Sequence, residues 1–424
     1  MRDLQIAEFE RAPSGRPVWL AGRIETLEPA GALLHGTLRD STGCCDFDLE
    51  PSHDARPGDI VRLRGLCGPR GRFRAGEFEL LVRPERDPRA DPEHVRLSSP
   101  ELRERLASRA ALARALRAHF DARGFLEVET GQLVEEPGQE PTLSPFRCGD
   151  RFLITSPELR MKRLLAAGFE RIYELSHAFR SGPGECSDWH QPEFTLLEWY
   201  RAFADQEALI ADLEALLPHV AEEVAGRPVL RLGERRLELG RPFERLTVSQ
   251  AFARHAGIDL EPFLDGDAVR FRAAARAARF QVADDEDAET LFFRVLLDRV
   301  EHRLGVERPT ILSGYPAQLA ALARIDPDDP RVCRRFECYV LGVELSNAFE
   351  ELNDAVLQRR RFEAERRRKR EGGGACGPMP EKFLAALSRG LPPAAGIALG
   401  VDRLLMLLIG APRLADTLPF PEEV

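Results

Sequence analysis

The sequence lacks several features that would place it in particular protein classes. It has no apolar run of about 18 residues or more, so we expect no membrane-spanning helix and no membrane partner. Its first ten residues mix acids and bases and lack the apolar core of a secretory signal peptide. The eight cysteines form no C-x-x-C pair, which argues against a zinc site and against a disulfide framework. We therefore expect a cytoplasmic protein.

Lysine is nearly absent, occurring only at positions 162, 369 and 382, so arginine carries almost all positive charge. The formal net charge is −10, which argues against sequence-independent nucleic-acid binding over the whole surface but is compatible with a local basic patch. A chain of 424 residues with 43% hydrophobic content can bury a large core, and its length predicts two or three domains.

The first 95 residues have the pattern of a small β domain. Short apolar or alternating segments are separated by Gly, Pro or Asp turns, at 18–27, 36–40, 45–49, 59–65 and 78–82. This pattern predicts an OB-fold barrel over residues 1–95, with another small barrel as the alternative. A charged, proline-containing linker at 86–93 precedes a helix predicted at 99–123, and a second domain is predicted over 96–424.

Two arginine-bearing segments lie about half a chain apart. In the first, strands predicted at 171–180 and 192–201 flank a loop with Gly182, Pro183 and Gly184, and strand alternation places Phe194, Glu198 and Tyr200 on one face. In the second, a strand and a glycine turn at 396–400 lead into a helix that begins near Asp402. Arg180 and Arg403 could therefore grip a triphosphate from two sides, since the planar guanidinium suits phosphate better than an ammonium does.

A tight hairpin is predicted at 336–347, turning at Leu341-Gly342. Its register makes Glu337 and Glu344 diagonal neighbours, about 7–8 Å apart, so that both carboxylates reach one ion. Hard oxygen ligands suit Mg²⁺, and paired surface acids are the alternative. Strict alternation would turn Asn347 to the opposite face, so we expect a β-bulge if Asn347 lines the pocket.

The two arginine segments, in this order, resemble motifs 2 and 3 of the class II aminoacyl-tRNA synthetases. The segment 124–130 resembles motif 1, the dimer-forming segment, with Gly131 where the family has proline. The resemblance implies an α+β fold, in which a barrel precedes an antiparallel catalytic sheet flanked by helices. It also implies a homodimer that uses ATP and Mg²⁺ to activate a carboxylate.

The resemblance assigns the ATP-binding roles residue by residue. Arg180 would bind the α-phosphate and the substrate carboxylate, and Arg403 would bind the γ-phosphate; both are the catalytic candidates. His190 would contact the distal phosphates, Phe194 would stack on adenine, and Glu337 and Glu344 would hold Mg²⁺. The usual Arg-x-Glu is absent because Gly182 occupies the glutamate position. Either Glu185 replaces that contact or it is a solvated loop acid.

Over roughly residues 105–420 the resemblance is closest to lysyl-tRNA synthetase and to its paralogue, the elongation factor P lysine ligase. Glu158 matches the position that contacts the α-amino group. Glu198, Tyr200 and Glu351 match those that hold the side-chain ammonium. Unpaired burial of a cation is costly, and acids with a phenol would offset that cost. The pocket positions Ser156, Asn347 and Ala398 complete the predicted amino-acid site.

Two positions favour the ligase. Ser156 stands where synthetases have alanine, and Ala398 stands where they have glycine. One methyl group shifts discrimination by about 1–3 kcal/mol, enough to prefer a β-amino acid. The barrel favours the synthetase, because Gly22-Arg23 and 38–43 resemble its anticodon-binding barrel. However, His35 and Asp46 replace its stacking phenylalanine and its base-reading glutamine.

The sequence thus predicts activation of lysine or (R)-β-lysine and transfer to a lysine of elongation factor P. The alternatives are a lysyl-tRNA synthetase that charges tRNA(Lys), an amide-forming ligase for free amino acids, and a ligand-binding homologue without turnover. A basic run at 359–370 is predicted to be either a solvated helix face or a docking patch for an acidic partner, ended by the glycines at 372–374.

Overall fold

A computed structural model describes residues 2–9, 17–68, 72–85, 87–139, 143–182, 184–371 and 376–422. The chain divides into two compact units, 1–103 and 104–424. Within the described residues, no helix is both long enough and apolar enough to cross a membrane. Pro183 was predicted to lie in a loop and the glycines at 372–374 were predicted to end a helix; these positions lie outside the described residues.

The first unit contains a closed five-stranded barrel. Its strands are β1 (Val18–Ala30), β2 (Leu33–Arg39), β3 (Cys44–Leu49), β4 (Ile60–Cys67) and β5 (Phe73–Val82). They are joined in the order β1-β2-β3-β5-β4. Alternate residues such as Leu20, Phe47 and Leu63 fill the interior, where a short helix, α1 (Ile6–Phe9), adds Phe9. The predicted OB-type barrel is confirmed.

The segment predicted as a linker contains helical structure. A 3₁₀ turn (Pro88–Ala90) and the helix α2 (Pro92–Leu97) follow the barrel. Asp91 caps α2 by accepting a hydrogen bond from the Glu93 backbone, as expected for an aspartate at a helix start. The long helix α3 (Pro100–Asp121) follows, at the position that the apolar spacing predicts.

An eight-stranded sheet forms the centre of the second unit. In spatial order its strands are β14 (Glu244–Thr247), β15 (Thr310–Pro316), β16 (Val332–Val340), β17 (Val343–Glu350), β18 (Ala394–Gly400), β11 (Glu193–Ala202), β10 (Arg171–Phe179) and β6 (Leu126–Glu127). Only the edge pairs β14–β15 and β10–β6 are parallel. The predicted α+β class with a mainly antiparallel sheet is confirmed.

Helices and short strands surround this sheet. The helices are α4 (Glu158–Ala166), α5 (Gln206–Ala225), α6 (Val248–Ala251), α7 (Glu261–Leu264), α8 (Ala268–Ala277), α9 (Ala288–Val295), α10 (Ala355–Glu371), α11 (Glu381–Arg389) and α12 (Val401–Ile409). The short strands are β7 (Leu133–Val134), β8 (Arg147–Cys148), β9 (Arg151–Leu153), β12 (Val229–Leu232) and β13 (Arg235–Glu238). A separate apolar cluster, which includes Phe252, Phe271 and Phe292, stabilises the helices between β14 and β15.

The β16–β17 hairpin turns at Leu341-Gly342, as predicted, with φ values of 54° and 82°. Only a left-handed backbone fits this tight turn, which explains the glycine. The register shifts between Cys338 and Tyr339, so that Glu344 pairs with Tyr339 while Asn347 pairs with Glu337. The expected β-bulge is therefore present.

The bulge places a row of residues side by side across five strands. Glu337 lies opposite Asn347, and Asn347 lies opposite Ala398. Ala398 lies opposite Glu198, which in turn lies opposite Glu174. Directly paired residues point to the same face of a sheet. One face of the sheet therefore carries four of the predicted amino-acid and metal residues in one line: Glu337, Asn347, Ala398 and Glu198.

Candidate active site

A cavity of about 560 Å³ opens on this face of the sheet. Many of the predicted site residues line it: Arg180, Glu185, His190, Phe194, Glu344, Asn347, Ala398 and Arg403. The remaining predicted residues do not line this cavity; they are Ser156, Glu158, Glu198, Tyr200, Glu337 and Glu351. A cavity of this size suits a small-molecule substrate or cofactor.

Asp402 joins the two arginine segments. It is buried in the first turn of α12, where its Oδ2 accepts a hydrogen bond of 2.6 Å from the Thr195 backbone on β11. Its Oδ1 is paired with Arg109 on α3. A carboxylate near a helix N-terminus is favourable in the helix field, and its two partners fix α12 against β11. Arg403, one residue further on, is thereby held over the cavity.

Arg403 is fixed by several contacts. Its Nη1 donates to the Glu344 carbonyl at 2.7 Å, and its Nη2 donates to His190 Nε2 at 2.8 Å. Burial, Arg403 and Arg180 lower the pKa of His190 to about 4, so this imidazole is neutral at pH 7. With Nε2 as an acceptor, Nδ1 donates to Ser187 Oγ at 3.0 Å. A neutral histidine here orients Arg403 without adding charge.

Arg180 lies at the end of β10, and its guanidinium is 4.9 Å from the centre of the Phe194 ring. A cation over an aromatic face is attracted by the ring quadrupole. The two side chains thus form one surface of the cavity, with the predicted stacking residue and the predicted phosphate-binding residue in contact. Glu185 also lines the cavity.

One group of buried polar side chains surrounds Glu337, and we call it the phosphate-side cluster: Glu301, Tyr315, Arg335, Glu337, Tyr339 and Glu344. Glu337 Oε1 accepts from Arg335 Nη2 at 2.6 Å, and its Oε2 accepts from Tyr315 at 2.5 Å and from Tyr339 at 2.6 Å. Glu344 is paired with Arg403 at 3.4 Å and keeps 36% of its side chain exposed. Glu337 is therefore the more fixed acid and Glu344 the more accessible one.

The acids of this cluster repel one another. Burial, together with the charges of Glu337 and Glu344, raises the pKa of Glu301 to about 7. Within the described residues no three His, Cys, Asp or Glu side chains are grouped as a metal site. Two converging carboxylates fit an ion that takes its other ligands from phosphates and water, which is how Mg²⁺ usually binds.

A second group lies behind the cavity wall, and we call it the amine cluster: Ser156, Glu158, Lys162, Glu198, Tyr200 and Glu351. Glu198, on β11, accepts from Ser156 Oγ at 2.7 Å and from Tyr200 at 3.0 Å. Burial and the nearby charge of Glu158 raise the pKa of Glu198 to about 8. A buried carboxylate with a raised pKa favours binding of a positive group.

Glu351 completes the amine cluster. Its Oε2 is paired with Lys162, whereas its buried Oε1 has no hydrogen-bond partner among the described residues. Any Cβ at Gly396 would lie 2.6 Å from this Oε1 and 2.1 Å from Tyr200, so glycine leaves the room that these side chains need. An unpaired buried carboxylate oxygen is costly unless a donor binds it.

The sequence did not reveal several residues that contact the predicted site. Arg335 and Lys162 each pair with predicted acids, and Tyr315 and Tyr339 donate to Glu337. Lys162 lies four residues after Glu158 on a helix, a spacing that brings side chains together and could have indicated the pair. Arg335 precedes Glu337 by two residues on one strand, so both lie on the same face.

The basic run on α10 binds neighbouring segments. Arg361 donates to the carbonyls of Ala321 and Ala323, and Lys369 donates to the carbonyl of Leu143. Three further ion pairs and hydrogen bonds involve the same run: Arg359 with Glu381, Arg366 with Gln139, and Arg368 with Glu289. Much of this charge therefore stabilises the second unit itself.

In the barrel, the two altered positions lie on adjacent strands. His35 Nδ1 is 3.1 Å from Asp48, and Asp46 accepts a hydrogen bond of 3.3 Å from Thr37. These contacts run across the β2–β3 pair. Both side chains thus have partners within the barrel.

Comparison with known proteins identifies relatives along most of the chain. Residues 85–424 match the sequence profile of the tRNA synthetases class II (D, K and N). A lysine–tRNA ligase of Haemophilus influenzae is 33% identical over 96% of this chain and 87% of its own length. An elongation factor P–(R)-β-lysine ligase of Edwardsiella ictaluri is 39% identical over 74% of this chain and 94% of its own length. A lysine–tRNA ligase of Moorella thermoacetica is 32% identical over 96% of this chain.

The family match covers the whole catalytic sheet with both arginine segments, and the relatives are ligases of aminoacyl groups. The resemblance stated from the motifs is thereby confirmed. The chain belongs to the class II tRNA synthetase family of the D, K and N type, and it is an ATP-dependent aminoacyl ligase.

Proposed function

We propose that this protein activates lysine or (R)-β-lysine with ATP and transfers the aminoacyl group to a lysine of elongation factor P. The observation that carries the amino-acid half of the proposal is the amine cluster, in which Glu158, Glu198 and Glu351 surround a single internal cation. Glu351 Oε1 lacks a partner there. A substrate ammonium group would supply that partner, which favours a diamino acid.

ATP would bind against Arg180, Phe194, His190 and Arg403, which line the cavity together with Glu344. Glu344 and Glu337 would hold Mg²⁺, with Glu344 the more accessible ligand. When bound, the ion supplies charge that neutralises the phosphate oxygens. Asn347, beside Ala398 in the strand register, would lie next to the substrate.

In the first step a substrate carboxylate oxygen would form a bond to the α-phosphorus, and the bond to the leaving pyrophosphate would break. The carboxylate is already ionised at neutral pH, so this step needs positioning and positive charge rather than a general base. Arg180 would hold the carboxylate and the α-phosphate together. In the second step the acceptor amine would attack the acyl carbon, forming an amide and releasing AMP and a proton.

The identity of residue 398 as alanine favours (R)-β-lysine as the substrate and elongation factor P as the acceptor. Its methyl group lies between Glu198 and Asn347 in the strand register, at the position where the family's lysyl-tRNA synthetases have glycine. Ser156, the other ligase-type residue, donates to Glu198. A methyl group beside the acids narrows the space near the substrate's α-carbon and would disfavour an α-amino group.

A lysyl-tRNA synthetase is the second candidate, because the lysine–tRNA ligases match 96% of this chain, including the barrel region. Against it, Asp46 puts a carboxylate where a base-reading amide is expected, and a carboxylate is repelled by phosphates. Loss of one good base contact costs about 1–3 kcal/mol. We propose that the barrel does not read an anticodon in the usual way.

We also propose a homodimer formed through the segment 124–130, which includes the edge strand β6. Leu126 on β6 and Leu133 nearby keep 52% and 46% of their surface exposed. Exposed apolar side chains beside an unpaired sheet edge favour a partner. Light scattering after size exclusion would test this; a monomer at micromolar concentration would contradict it.

Two assays test the two halves of the proposed reaction. ATP–pyrophosphate exchange with lysine, (R)-β-lysine, ornithine and norleucine reports activation, and we expect exchange only with the diamino acids. Absence of any exchange would favour a ligand-binding homologue without turnover. Intact mass spectrometry of elongation factor P after incubation reports transfer, and we expect the addition of one aminoacyl group. If pyrophosphate exchange is active but elongation factor P stays unmodified, the proposal that elongation factor P is the acceptor is contradicted.

A further inference from the structure

Lys162 is a lysine buried inside the amine cluster. Only 2% of its side chain is exposed, and it lies on α4, four residues after Glu158. Its Nζ is 2.5 Å from Glu158 Oε1 and also pairs with Glu351 Oε2. Although burial alone lowers the pKa of a lysine, these two carboxylates raise the pKa of Lys162 above its ordinary value. Lys162 is therefore a fixed cation between two acids.

Each of these acids has a second oxygen that Lys162 does not bind. Glu351 Oε1 is buried and has no hydrogen-bond partner among the described residues. Glu158 accepts from Lys162 through Oε1, and 12% of the Glu158 side chain stays exposed. Carboxylate oxygens that lack donors in a buried site favour an incoming ammonium group.

We propose that Lys162 is a positioning residue that makes the site selective for amino acids with two amino groups. It binds one oxygen of Glu158 and one of Glu351, and it thereby presents the other oxygen of each to the two substrate ammonium groups. This inference rests on the proposed function, which assigns these two acids to the two amino groups.

The charge of the cluster agrees with this role. Burial raises the pKa values of Glu198 and Glu351 to about 8, so both acids must ionise to bind substrate. Once they have ionised, the three glutamates and the single ammonium of Lys162 leave two negative charges. A diamino acid brings two positive charges, whereas norleucine would leave one buried negative charge without a partner. Without Lys162 three negative charges would remain, and the acids would keep their protons to a still higher pH.

The surroundings of Lys162 restrict its movement. Its Nζ lies 5.8 Å from the centre of the Phe349 ring, and Arg335 of the phosphate-side cluster also lies 5.8 Å from that centre. Phe349 thus contacts cations of both clusters. An ammonium held by two carboxylates and an aromatic ring has little room to leave when substrate enters.

The rarity of lysine allows a direct test on the unmodified chain. Protein labelled with ¹³Cε,¹⁵Nζ-lysine contains only three labelled side chains, at 162, 369 and 382. The test adds L-lysine, 6-aminohexanoate or norleucine and follows the Lys162 signal. We expect L-lysine to shift this signal while Lys162 stays protonated and protected from exchange, and 6-aminohexanoate to shift it less.

Variants separate positioning from a general loss of structure. We expect Lys162→Met to weaken L-lysine binding about tenfold to hundredfold at pH 7, with ATP binding within about twofold of the original. Loss of the nearby cation raises the pKa of the remaining acids, so the defect should shrink at pH 9. Lys382→Met is the matched control, because it removes a lysine that pairs with Glu135 at the surface.

Two results would overturn the inference. The first is a Lys162 signal that becomes exposed to exchange when L-lysine binds, which would make Lys162 a displaced competitor. The second is a Lys162 signal that does not move although calorimetry detects L-lysine binding. If Lys162→Met unfolds or loses ATP binding equally, these two results in the unmodified chain decide the question. Failure of both L-lysine and (R)-β-lysine to bind would contradict the proposed function first, and the inference with it.

Discussion

The amine cluster and the phosphate-side cluster use the same residue type for different purposes. Each contains three glutamates, and the Phe349 ring centre lies 5.8 Å from one cation of each cluster, Lys162 and Arg335. In the amine cluster an acid oxygen lacks a partner, on Glu351. In the phosphate-side cluster both oxygens of Glu337 are bound, by Arg335 and by two tyrosines.

This difference indicates what each cluster can accept. Unpartnered acid oxygens behind the cavity wall suit ammonium groups, which bring their own hydrogen-bond donors. Glu337 is held rigid by donors, while Glu344 projects into the cavity, an arrangement that suits a metal ion shared with phosphates. Counting acids alone would not distinguish the two clusters; their hydrogen-bond partners do.

The largest expected effect comes from removing one charge in the amine cluster. We expect Glu351→Gln to lower kcat/KM for lysine in pyrophosphate exchange about thirtyfold to thousandfold, equivalent to about 2–4 kcal/mol, because a buried charge loses its partner. The KM for ATP should stay within about twofold. The matched control is Glu350→Gln, since Glu350 accepts instead from the Gln206 backbone and pairs with Arg324. Equal losses in the two variants would mean that Glu351 has no specific role in binding the substrate ammonium group.

A smaller change concerns the methyl group between the clusters. We expect Ala398→Gly to raise the ratio of kcat/KM for lysine over (R)-β-lysine about tenfold or more, because one methyl group in a close-packed site is worth about 1–3 kcal/mol. Ala395→Gly, on the same strand but the opposite face, should leave the ratio unchanged. An unchanged ratio in Ala398→Gly would mean that the methyl group does not select the substrate.

The phosphate-side cluster predicts unequal roles for its two metal candidates. We expect Glu344→Gln to raise the Mg²⁺ concentration at half-maximal exchange about tenfold, because its carboxylate is accessible. Glu337→Gln should affect Mg²⁺ less and should lower the melting temperature, since Arg335 would then lose a buried partner. Titrating Mg²⁺ at saturating ATP and lysine measures the first effect. Equal Mg²⁺ dependence in both variants would contradict the assignment.

The smallest expected effect is a pH dependence of lysine affinity that arises in the amine cluster. Because the pKa of Glu198 is raised to about 8, this acid is protonated below pH 8 in the free protein and must ionise to bind an ammonium group. The affinity for lysine should therefore rise between pH 6.5 and pH 8, by less than about tenfold per pH unit. Protons should be released when lysine binds. Calorimetry in two buffers of different ionisation enthalpy measures that release. Uptake of protons on lysine binding would contradict the prediction that Glu198 ionises when it binds the ammonium group.

Local patterns predicted the parts of the site that lie on single elements. The hairpin turn at Leu341-Gly342, the bulge near Asn347 and the helix that begins at 401 all follow from short-range spacing. The contact between Lys162 and Glu351 does not, because alternation tells which face a side chain occupies and not what lies across from it. For the same reason the sequence left the basic run open between two interpretations, whereas several of its side chains bind loops of their own unit.

The barrel shows the same limit. Its five strands follow from turn spacing, but the partners of His35 and Asp46 depend on cross-strand register. Residues 86–93 were predicted as a linker because proline and charge dominate there, yet Asp91 and the proline after it are typical of a helix start.

An acyl-transfer assay decides between the two acceptors: it contains ATP, Mg²⁺ and labelled lysine or (R)-β-lysine, with elongation factor P and total tRNA in the same reaction. We expect label on elongation factor P and none on tRNA, with (R)-β-lysine the better donor. Label on tRNA(Lys) would contradict it, and would mean that neither Ala398 in the catalytic site nor Asp46 in the barrel excludes the synthetase reaction.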